Sequence, residues 1–298
     1  MNKAYIILAH KNIEQLVQTL ERLNDQSSYF FIHIDSKMHG LHPSIFLGFG
    51  DKVHLMERID TKWAGFSLVQ ATLNAMKAIK ETGRQYHTIT LLSGQDYPIK
   101  SNRFIDDFFR NSHARVFIEH FEMPNYERWR PNGGMYRLDK YYFGLKSYEL
   151  FSSRVLNFLC NFLTFLKRKQ PLKLQPYGGS QWWTIDMYSL DYILKYVKTY
   201  PAYSLFHKST FAPDELFFQT ILLNAKDDRI VKSIVNSNYR FVRWSSSSKS
   251  HPETLQLSDL NDIVQSDALF ARKLDVTEHP ELFELIDKHC LNKEQATA

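Results

Sequence analysis

Segments typical of strands alternate with segments typical of helices over the first 115 residues, and this alternation restricts the fold more than any other feature of the sequence. The strand segments are short apolar runs, whereas the helix segments carry apolar residues at spacings of three and four. The predicted strands are Ala4–Ala9, Tyr29–Ile34, Val53–Met56 and Thr88–Leu92, and the predicted helices are Ile13–Leu23 and Phe66–Ile79. Because parallel strands need crossover connections of this length, the pattern predicts an α/β fold with a mostly parallel central sheet flanked by helices.

The remainder of the chain is less regular, and it contains no internal repeat or low-complexity linker. We predict strands at Val116–Glu119, Gln181–Ile185 and Tyr239–Trp244, helices over 150–168, Ser189–Val197 and Asp259–Asp267, and a serine-rich loop at Ser245–Ser250. Ligands bind at the carboxyl ends of parallel strands, which are followed here by Asp35 and by the segment Ser93–Asp96. A length of 298 residues suits one large α/β domain or two small ones, and the missing linker favours one.

Charge and cysteine content exclude several classes of protein. The net charge of +5 is mild, and no basic stripe or nucleic-acid motif is present, so we expect no nucleic-acid partner. Cys160 and Cys290 are far apart, which argues against a disulfide framework and a cysteine-based metal site. The first ten residues are typical of a buried strand rather than a signal peptide, and no apolar run reaches about 18 residues, so we expect a cytoplasmic protein.

The segment Phe211–Thr220 places an acidic pair, Asp214 and Glu215, after Pro213 and before an apolar run with helical spacing. Two interpretations stand side by side. In the first, the acidic residues stabilise the first turn of a helix through its dipole. In the second, Glu215 enters a pocket as a general base, because a carboxylate among aromatic side chains can have a raised pKa and accept a proton from a hydroxyl.

The usual motifs for nucleotide, metal and acyl chemistry are missing. There is no P-loop, no Gly-x-Gly-x-x-Gly after the first strand, no Gly-x-Ser-x-Gly and no His-Glu-x-x-His. Asp-x-Asp, which holds a metal on the diphosphate in many nucleotide-sugar transferases, is also absent. A bound diphosphate would then need Lys or Arg, and Arg272 and Lys273 are candidates unless they are simply solvated. His10, His33 and His120 lack metal-ligand spacing and are interpreted as packed or hydrogen-bonded residues.

Nine short segments carry a resemblance to a known family. In chain order they are Ala4–His10, Ile32–Lys37, Trp63–Ser67, Leu92–Lys100, Glu127–Trp129, Gly179–Trp183, Ala212–Glu215, Arg240–Trp244 and Phe270–Lys273. Each alone is weakly specific, but together they cover about residues 4–275 in the family's order. They resemble the core-2/I-branching N-acetylglucosaminyltransferase and peptide xylosyltransferase group, glycosyltransferase family 14.

This resemblance implies a single domain with a GT-A-type (Rossmann-like) fold, a UDP-sugar donor, inversion at the anomeric carbon, and neither a metal nor another cofactor. The nucleotide-binding half would be about 1–115 and the acceptor and catalytic half about 116–298. Glu215 matches the catalytic base that deprotonates the acceptor hydroxyl, and Lys273, with Arg272 beside it, matches a ligand of the donor diphosphate. The other matched residues are Asp35, Lys37, Trp63 and Gln181 for the donor, and Glu119, Arg128 and Trp244 for the acceptor.

The chain also departs from the family's animal members, which are cysteine-rich and anchored in the Golgi lumen. With two cysteines, it is expected to be a bacterial, cytoplasmic member that acts in surface polysaccharide assembly. The animal members have a second basic residue that binds the diphosphate. In this chain the candidates for that role are Arg243, Lys249 and Arg272. The expected donor sugar is N-acetylglucosamine, transferred in a β-1,6 linkage, with xylose or another sugar as the alternative. A non-catalytic glycan- or nucleotide-binding module and a nucleotide-sugar hydrolase are the competing functions.

The resemblance does not explain residues 154–169. This segment is rich in phenylalanine and leucine and carries Arg154, Lys167, Arg168 and Lys169. A helix here is too short to span a bilayer but could lie on an anionic membrane surface. That placement would suit a lipid-linked glycan acceptor and a peripheral location at the inner face of the cell membrane. The alternative is a helix packed on its own domain or on a second copy of the chain.

Overall fold

The computed structural model describes residues 1–40, 42–244 and 252–291. Two compact units make up the chain. The first comprises Met1–Arg58, Gln85–His113 and the residues from Asn238 onward, and the second comprises Ile59–Arg84 and Ala114–Ser237. The predicted serine-rich loop, and Lys249 within it, lie outside the described residues.

The regular elements of the described residues are as follows. The strands are β1 (Lys3–Ala9), β2 (Ser28–Ile34), β3 (Val53–Leu55), β4 (Thr88–Ser93), β5 (Tyr97–Pro98), β6 (Val116–Glu122), β7 (Tyr177–Ile185), β8 (Ile234–Val235), β9 (Arg240–Val242) and β10 (Phe270–Arg272). The helices are α1 (Ile13–Leu23), α2 (Phe66–Glu81), α3 (Asn102–Asn111), α4 (Tyr136–Asp139), α5 (Ser147–Phe162), α6 (Met187–Thr199), α7 (Pro201–His207), α8 (Phe217–Leu223), α9 (Asp228–Val231), α10 (Leu260–Gln265) and α11 (Pro280–Ile286). None of these helices is both long and apolar enough to cross a bilayer.

The first unit is built on four parallel strands in the order β3, β2, β1, β4. Lys3 of β1 lies opposite Ser28 of β2 and Thr88 of β4, which fixes the register of these three strands. Every residue of β1 and β2 is buried, as is typical of parallel strands that are covered on both faces. The carboxyl ends of β1, β2 and β4 therefore form one edge, the edge at which such sheets bind ligands.

A smaller sheet completes the first unit. β10 pairs in parallel with β9 and antiparallel with β5. Tyr97 of β5 packs against Phe283 of α11 with ring centroids 4.9 Å apart. The Leu274 N–H donates to the Gln95 carbonyl at 3.0 Å, so the residues after β10 are joined to the turn after β4. This hydrogen bond places Lys273 beside the carboxyl edge of the parallel strands.

The second unit contains β6, which pairs antiparallel with β7 and in parallel with β8. The register of β6 on β7 shifts between Ile118 and His120. β7 begins at Tyr177, four residues before the predicted start, and so includes Gly179. A Cβ at Gly179 would lie 1.8 Å from the carbonyl oxygen of Glu119, so only glycine permits this approach of the two strands.

The predicted α/β class, with a mostly parallel sheet flanked by helices, is confirmed. Helix α1 has the predicted bounds, Ile13–Leu23, and β1, β2 and β4 differ from prediction by one residue at one end. The late strand predicted at Tyr239–Trp244 is shorter, Arg240–Val242. The single-domain boundaries stay a prediction.

Every predicted helix except α1 differs from the structure at one or both ends, and two of these differences are large. The helix predicted over 150–168 is α5, and it ends at Phe162 because the backbone leaves helical geometry at Leu163 (φ −104°, ψ 85°). The acidic pair does not open α8. It lies instead in a separate 3-10 turn, Pro213–Glu215, and Leu216, with φ −148°, separates this turn from the helix.

Candidate active site

Asp35 occupies the carboxyl end of β2, as the sequence predicted. It is buried, and its N–H donates to the Ala9 carbonyl at 2.8 Å. Its carboxylate accepts hydrogen bonds from the Lys37 N–H at 2.8 Å and from Lys37 Nζ at 3.1 Å. The Lys37 side chain is 59% exposed, whereas the Asp35 side chain is buried. The ammonium group of Lys37 can therefore be reached from solvent while it is paired with Asp35.

Arg58 holds the loop that carries Asp35, and sequence reasoning missed it. Its guanidinium donates to the carbonyls of Ile34 at 3.2 Å and Asp35 at 2.8 Å, and also to the Met38 carbonyl. Together with the Ser36 carbonyl at 3.4 Å, these four backbone acceptors on one guanidinium fix the course of the chain after β2. The edge of the sheet is therefore rigid where the nucleoside is predicted to bind.

Lys273 belongs to a cluster of positive charge in the first unit. Burial, followed by the charges of Arg272 and Lys11, lowers the pKa of Lys273. Desolvation, followed by the charge of Lys11 and by smaller effects of Lys273 and Lys37, lowers the pKa of His10. The lowered pKa values of Lys273 and His10 indicate an excess of positive potential here, which a bound diphosphate would offset.

Two buried aspartates offset part of this charge. Asp96 Oδ1 lies 3.5 Å from Nε of Arg272, and both side chains are buried. Asp275 Oδ2 lies 2.5 Å from Lys11 Nζ. Burial raises the pKa of Asp275, but hydrogen bonds from Lys11 and Thr277 outweigh it and bring that pKa to about 2. Arg272 and Lys11 thus have carboxylate partners, and Lys273 is the cluster member best suited to meet an added anion.

Carboxylate partners also bear on which residue could be the second basic ligand of the diphosphate. Arg243 Nε lies 3.1 Å from Asp259 Oδ1, and its guanidinium also pairs with Asp262. Arg272 is paired with Asp96. Of the three cations that competed for this role, two already have acidic partners, and Lys249 lies outside the described residues.

In the second unit, Ala64 and Ala212 join the two segments that carry Trp63 and Glu215. The Ala212 N–H donates to the Ala64 carbonyl at 2.8 Å. Both alanines have left-handed backbone conformations, with φ 58° and 46°, which are uncommon for residues with a Cβ and cluster at functional sites. The Trp63 ring, 53% exposed, meets Phe211 edge to face at 5.8 Å.

Glu215 is bound by a buried arginine that sequence reasoning did not find. Arg137 Nη1 donates to Glu215 Oε2 at 2.6 Å. The Arg137 guanidinium lies 3.6 Å from the centroid of the Trp129 ring and 5.5 Å from that of Phe211. The side chain of Arg137 is 8% exposed and that of Glu215 is 36% exposed. A rigid cation therefore fixes one carboxylate oxygen while the acid still reaches solvent.

The other member of the acidic pair is buried. Asp214 is 7% exposed, and among the described residues its Oδ1 accepts no hydrogen bond. Burial, and then the negative charge of Glu215, raise the pKa of Asp214 to about 7. The pair thus combines a buried acid of raised pKa with a neighbour that Arg137 holds in place.

The residues matched to the acceptor are divided between the units. Arg128 Nη1 donates to Glu119 Oε1 at 2.9 Å, and the Arg128 guanidinium lies 5.5 Å from the Phe121 ring centroid. Gln181 is half-buried on β7 of the same unit. Trp244 belongs to the first unit and is 59% exposed. Within the ranges that the structure describes, no group of three or more His, Cys, Asp or Glu side chains could hold a metal ion.

Comparison with known proteins gives a consistent result. The family model "Core-2/I-Branching enzyme" matches residues 3–266. Xylosyltransferase 2 of Rattus norvegicus is 24% identical over 96% of this chain and 33% of its own length. Beta-glucuronosyltransferase GlcAT14A of Arabidopsis thaliana is 27% identical over 94% of this chain and 62% of its own. Beta-1,3-galactosyl-O-glycosyl-glycoprotein beta-1,6-N-acetylglucosaminyltransferase of Homo sapiens is 24% identical over 97% of this chain and 70% of its own length. The chain thus spans less than two thirds of the first two relatives, and the three are named for three different sugars.

Proposed function

We propose that this chain, which belongs to the Core-2/I-Branching enzyme family, is an inverting glycosyltransferase that moves a sugar from a UDP-sugar to a hydroxyl of a glycan. The observation that carries the proposal is the fixed, solvent-reaching carboxylate of Glu215, bound by Arg137 at 2.6 Å. Direct displacement with inversion needs one base for the acceptor and charge stabilisation for the departing UDP. Glu215 is suited to the first role and the cluster around Lys273 to the second.

In this reaction Glu215 takes the proton from the acceptor hydroxyl. The acceptor oxygen forms a bond to the anomeric carbon as the bond from that carbon to the diphosphate oxygen breaks. The electron pair of the broken bond leaves with UDP. Because Arg137 binds Oε2, Oε1 of Glu215 is the oxygen we assign to receive the proton.

On the donor side, the family resemblance and the geometry suggest how UDP-sugar is held. Asp35 and Lys37 are proposed to contact the nucleoside, and Lys273 the diphosphate, in a reaction that needs no metal. Trp63 and Gln181 are proposed to line the donor pocket. Glu119, Arg128 and Trp244 are proposed to bind the acceptor.

The preferred donor sugar is N-acetylglucosamine, and the preferred setting is bacterial surface polysaccharide assembly with a glycan or lipid-linked glycan acceptor. Xylose and glucuronic acid are the alternatives, because relatives are named for each. A donor panel distinguishes them. UDP, UDP-N-acetylglucosamine, UDP-xylose and UDP-glucuronic acid are tested first for a rise in melting temperature, since a ligand that binds only the folded state raises it.

Transfer is then followed by mass spectrometry with a panel of glycan acceptors. The proposal expects one UDP-sugar both to raise the melting temperature and to extend an acceptor by one sugar unit. A chain that binds a UDP-sugar but transfers nothing to any acceptor, and whose Glu215→Gln variant binds equally well, would be a binding module instead. Release of free sugar from the donor, at the same rate with and without acceptor, would indicate a hydrolase.

A further inference from the structure

Helix α5 has polar side chains on the side that faces the protein and apolar side chains on the side that faces solvent, the reverse of an ordinary surface helix. Its inward side chains are polar: Ser153 Oγ accepts the Phe143 N–H at 3.1 Å, and Asn157 binds the Tyr141 N–H at 2.8 Å and carbonyl at 2.9 Å. Glu149 is also buried and pairs with Lys62. Polar contacts therefore hold much of this side of α5, and Cys160 is its one buried apolar side chain.

The outward side of α5 and the turn that follows it is apolar. We call it the aromatic face, and it consists of Tyr148, Phe151, Val155, Phe158, Leu159, Phe162, Leu163 and Phe165. These eight side chains are between 39% and 74% exposed. Residues in α5 at spacings of three and four share one side of the helix. Within the residues that the structure describes, nothing covers this face, and exposed apolar patches of this kind mark interaction surfaces.

The charged residues of the segment 140–173, which carries the aromatic face, are almost all positive. Between residues 140 and 173 the only carboxylate is Glu149, which is buried and paired. The same stretch holds six cations besides Arg168: Lys140, Lys146, Arg154, Lys167, Lys169 and Lys173. A partner that covers this face must therefore accept both aromatic rings and a basic rim.

Arg168 is not part of that rim, contrary to the sequence-based expectation. Its guanidinium donates to the carbonyls of Lys140 at 2.7 Å and Phe206 at 2.6 Å and to Thr210 Oγ1 at 2.8 Å. It also lies 4.1 Å from the Phe206 ring centroid, and burial lowers its pKa to about 10. Arg168 thus anchors the segment after α5 to other parts of the second unit.

We propose that the aromatic face docks on a bilayer that contains anionic phospholipids. Phenylalanine and leucine side chains enter the headgroup boundary, and lysines around them meet lipid phosphates. A second copy of the chain is a poorer occupant, because two identical basic rims would face each other. At 16 residues α5 is too short to span a bilayer, so it lies in the surface plane.

Docking would place the enzyme at a lipid-linked acceptor, a consequence that rests on the proposed function. The docking itself does not, and its test needs no activity. The full chain is mixed with vesicles of phosphatidylcholine alone and of phosphatidylcholine with phosphatidylglycerol, and binding is measured by co-sedimentation. We expect binding to the anionic vesicles only, weakening as salt rises.

Two variants separate the contribution of the cations to vesicle binding from that of the aromatic rings. The first, Arg154→Gln/Lys167→Gln/Lys169→Gln, removes three cations and spares Arg168. Each cation at an anionic surface strengthens binding roughly fivefold, so this variant should bind about 100-fold more weakly. The second, Phe162→Gln/Phe165→Gln, removes the inserting rings and should also release the protein from vesicles. Both change exposed side chains, so their melting temperatures should match that of the unmodified chain.

Control variants change exposed cations and an exposed apolar residue elsewhere in the chain. Lys77→Gln/Lys195→Gln/Lys198→Gln removes three exposed lysines from α2 and α6 and should leave vesicle binding unchanged within about twofold. Leu47→Gln changes a leucine that is 77% exposed and should do the same. No vesicle binding, or equal binding by all variants, overturns the proposal. So does a dimer in sedimentation velocity that Phe162→Gln/Phe165→Gln dissociates, which would assign the face to a second copy.

Discussion

Arg137 donates a hydrogen bond to Glu215 at 2.6 Å, and its guanidinium lies 3.6 Å from the centroid of the Trp129 ring. The two contacts fix the cation between a carboxylate and an indole. A guanidinium can do this because it is planar and presents several donors, whereas an ammonium cannot. The orientation of the proposed base is therefore set by residues outside its own motif.

Glu215→Gln tests the proposed base. Glutamine keeps the size of the side chain and can still contact Arg137, but it cannot take a proton. We expect transfer to fall by roughly 10²-fold or more, the usual scale for a lost general base, while UDP-sugar binding stays near that of the unmodified chain. Initial rates at saturating acceptor and donor titrations measure the two quantities. Glu21→Gln, at an exposed position on α1, is the matched control. Unimpaired turnover by the Glu215→Gln variant would remove Glu215 from this role.

Local pattern was enough to predict some of the elements that carry the candidate site residues. Ile13–Leu23 has apolar residues on one face and was predicted with the bounds of α1, because that pattern is contained in the helix itself. Asp35 was found because it directly follows a buried strand. Glu215 was found through its acidic pair and through the resemblance.

Long-range contacts account for what the sequence did not predict. Arg137 is 78 residues from Glu215, and no spacing near it marks a buried cation. Arg168 stands in a run of basic residues that is typical of a solvated segment, yet it binds groups 28 to 42 residues away. Such contacts depend on tertiary packing, which overrides local preference.

Arg137 is expected to act as a positioning residue. Arg137→Gln removes the cation that fixes Oε2, and a misplaced base should lower kcat by about 10²-fold with a much smaller change in KM for the donor. Arg137→Lys keeps the charge but loses the planar contact with Trp129, so it should restore part of the lost kcat. Arg130→Gln, at an exposed site nearby in sequence, is the control. If Arg137→Gln and Arg137→Lys lower kcat to the same extent and also lower the melting temperature to the same extent, the role of Arg137 is purely structural.

Lys273→Ala is expected to weaken UDP binding by about 10- to 100-fold, because a charge-assisted contact to the diphosphate disappears. Isothermal titration with UDP and with uridine separates the diphosphate from the nucleoside. The loss should occur for UDP and be absent for uridine. Lys288→Ala, an exposed lysine of the same unit, should change neither affinity. If UDP binds Lys273→Ala with undiminished affinity, another cation holds the diphosphate.

Transfer activity is expected to persist in excess EDTA. The sequence has no Asp-x-Asp, and the proposed diphosphate ligand is a lysine. Rates are measured with EDTA, with Mn²⁺ and with Mg²⁺, after dialysis against the chelator. A rate that disappears in EDTA and returns with Mn²⁺ would require a carboxylate site for a metal and would contradict this prediction.

Asp214 should make the stability of the protein fall as pH rises. Burial and the charge of Glu215 raise its folded-state pKa from the usual 3.8 to about 7, so between these values the folded state binds more protons than the unfolded state. The free energy of unfolding therefore falls with increasing pH across this window. Asp214→Asn removes the titration, so its melting temperature relative to the unmodified chain should be higher at pH 8 than at pH 5. Asp228→Asn, at a side chain 81% exposed, should show no such pH-dependent difference. If the difference in melting temperature between Asp214→Asn and the unmodified chain is the same at pH 5 and pH 8, then the pKa of Asp214 is the same in the folded and unfolded states, which contradicts this prediction.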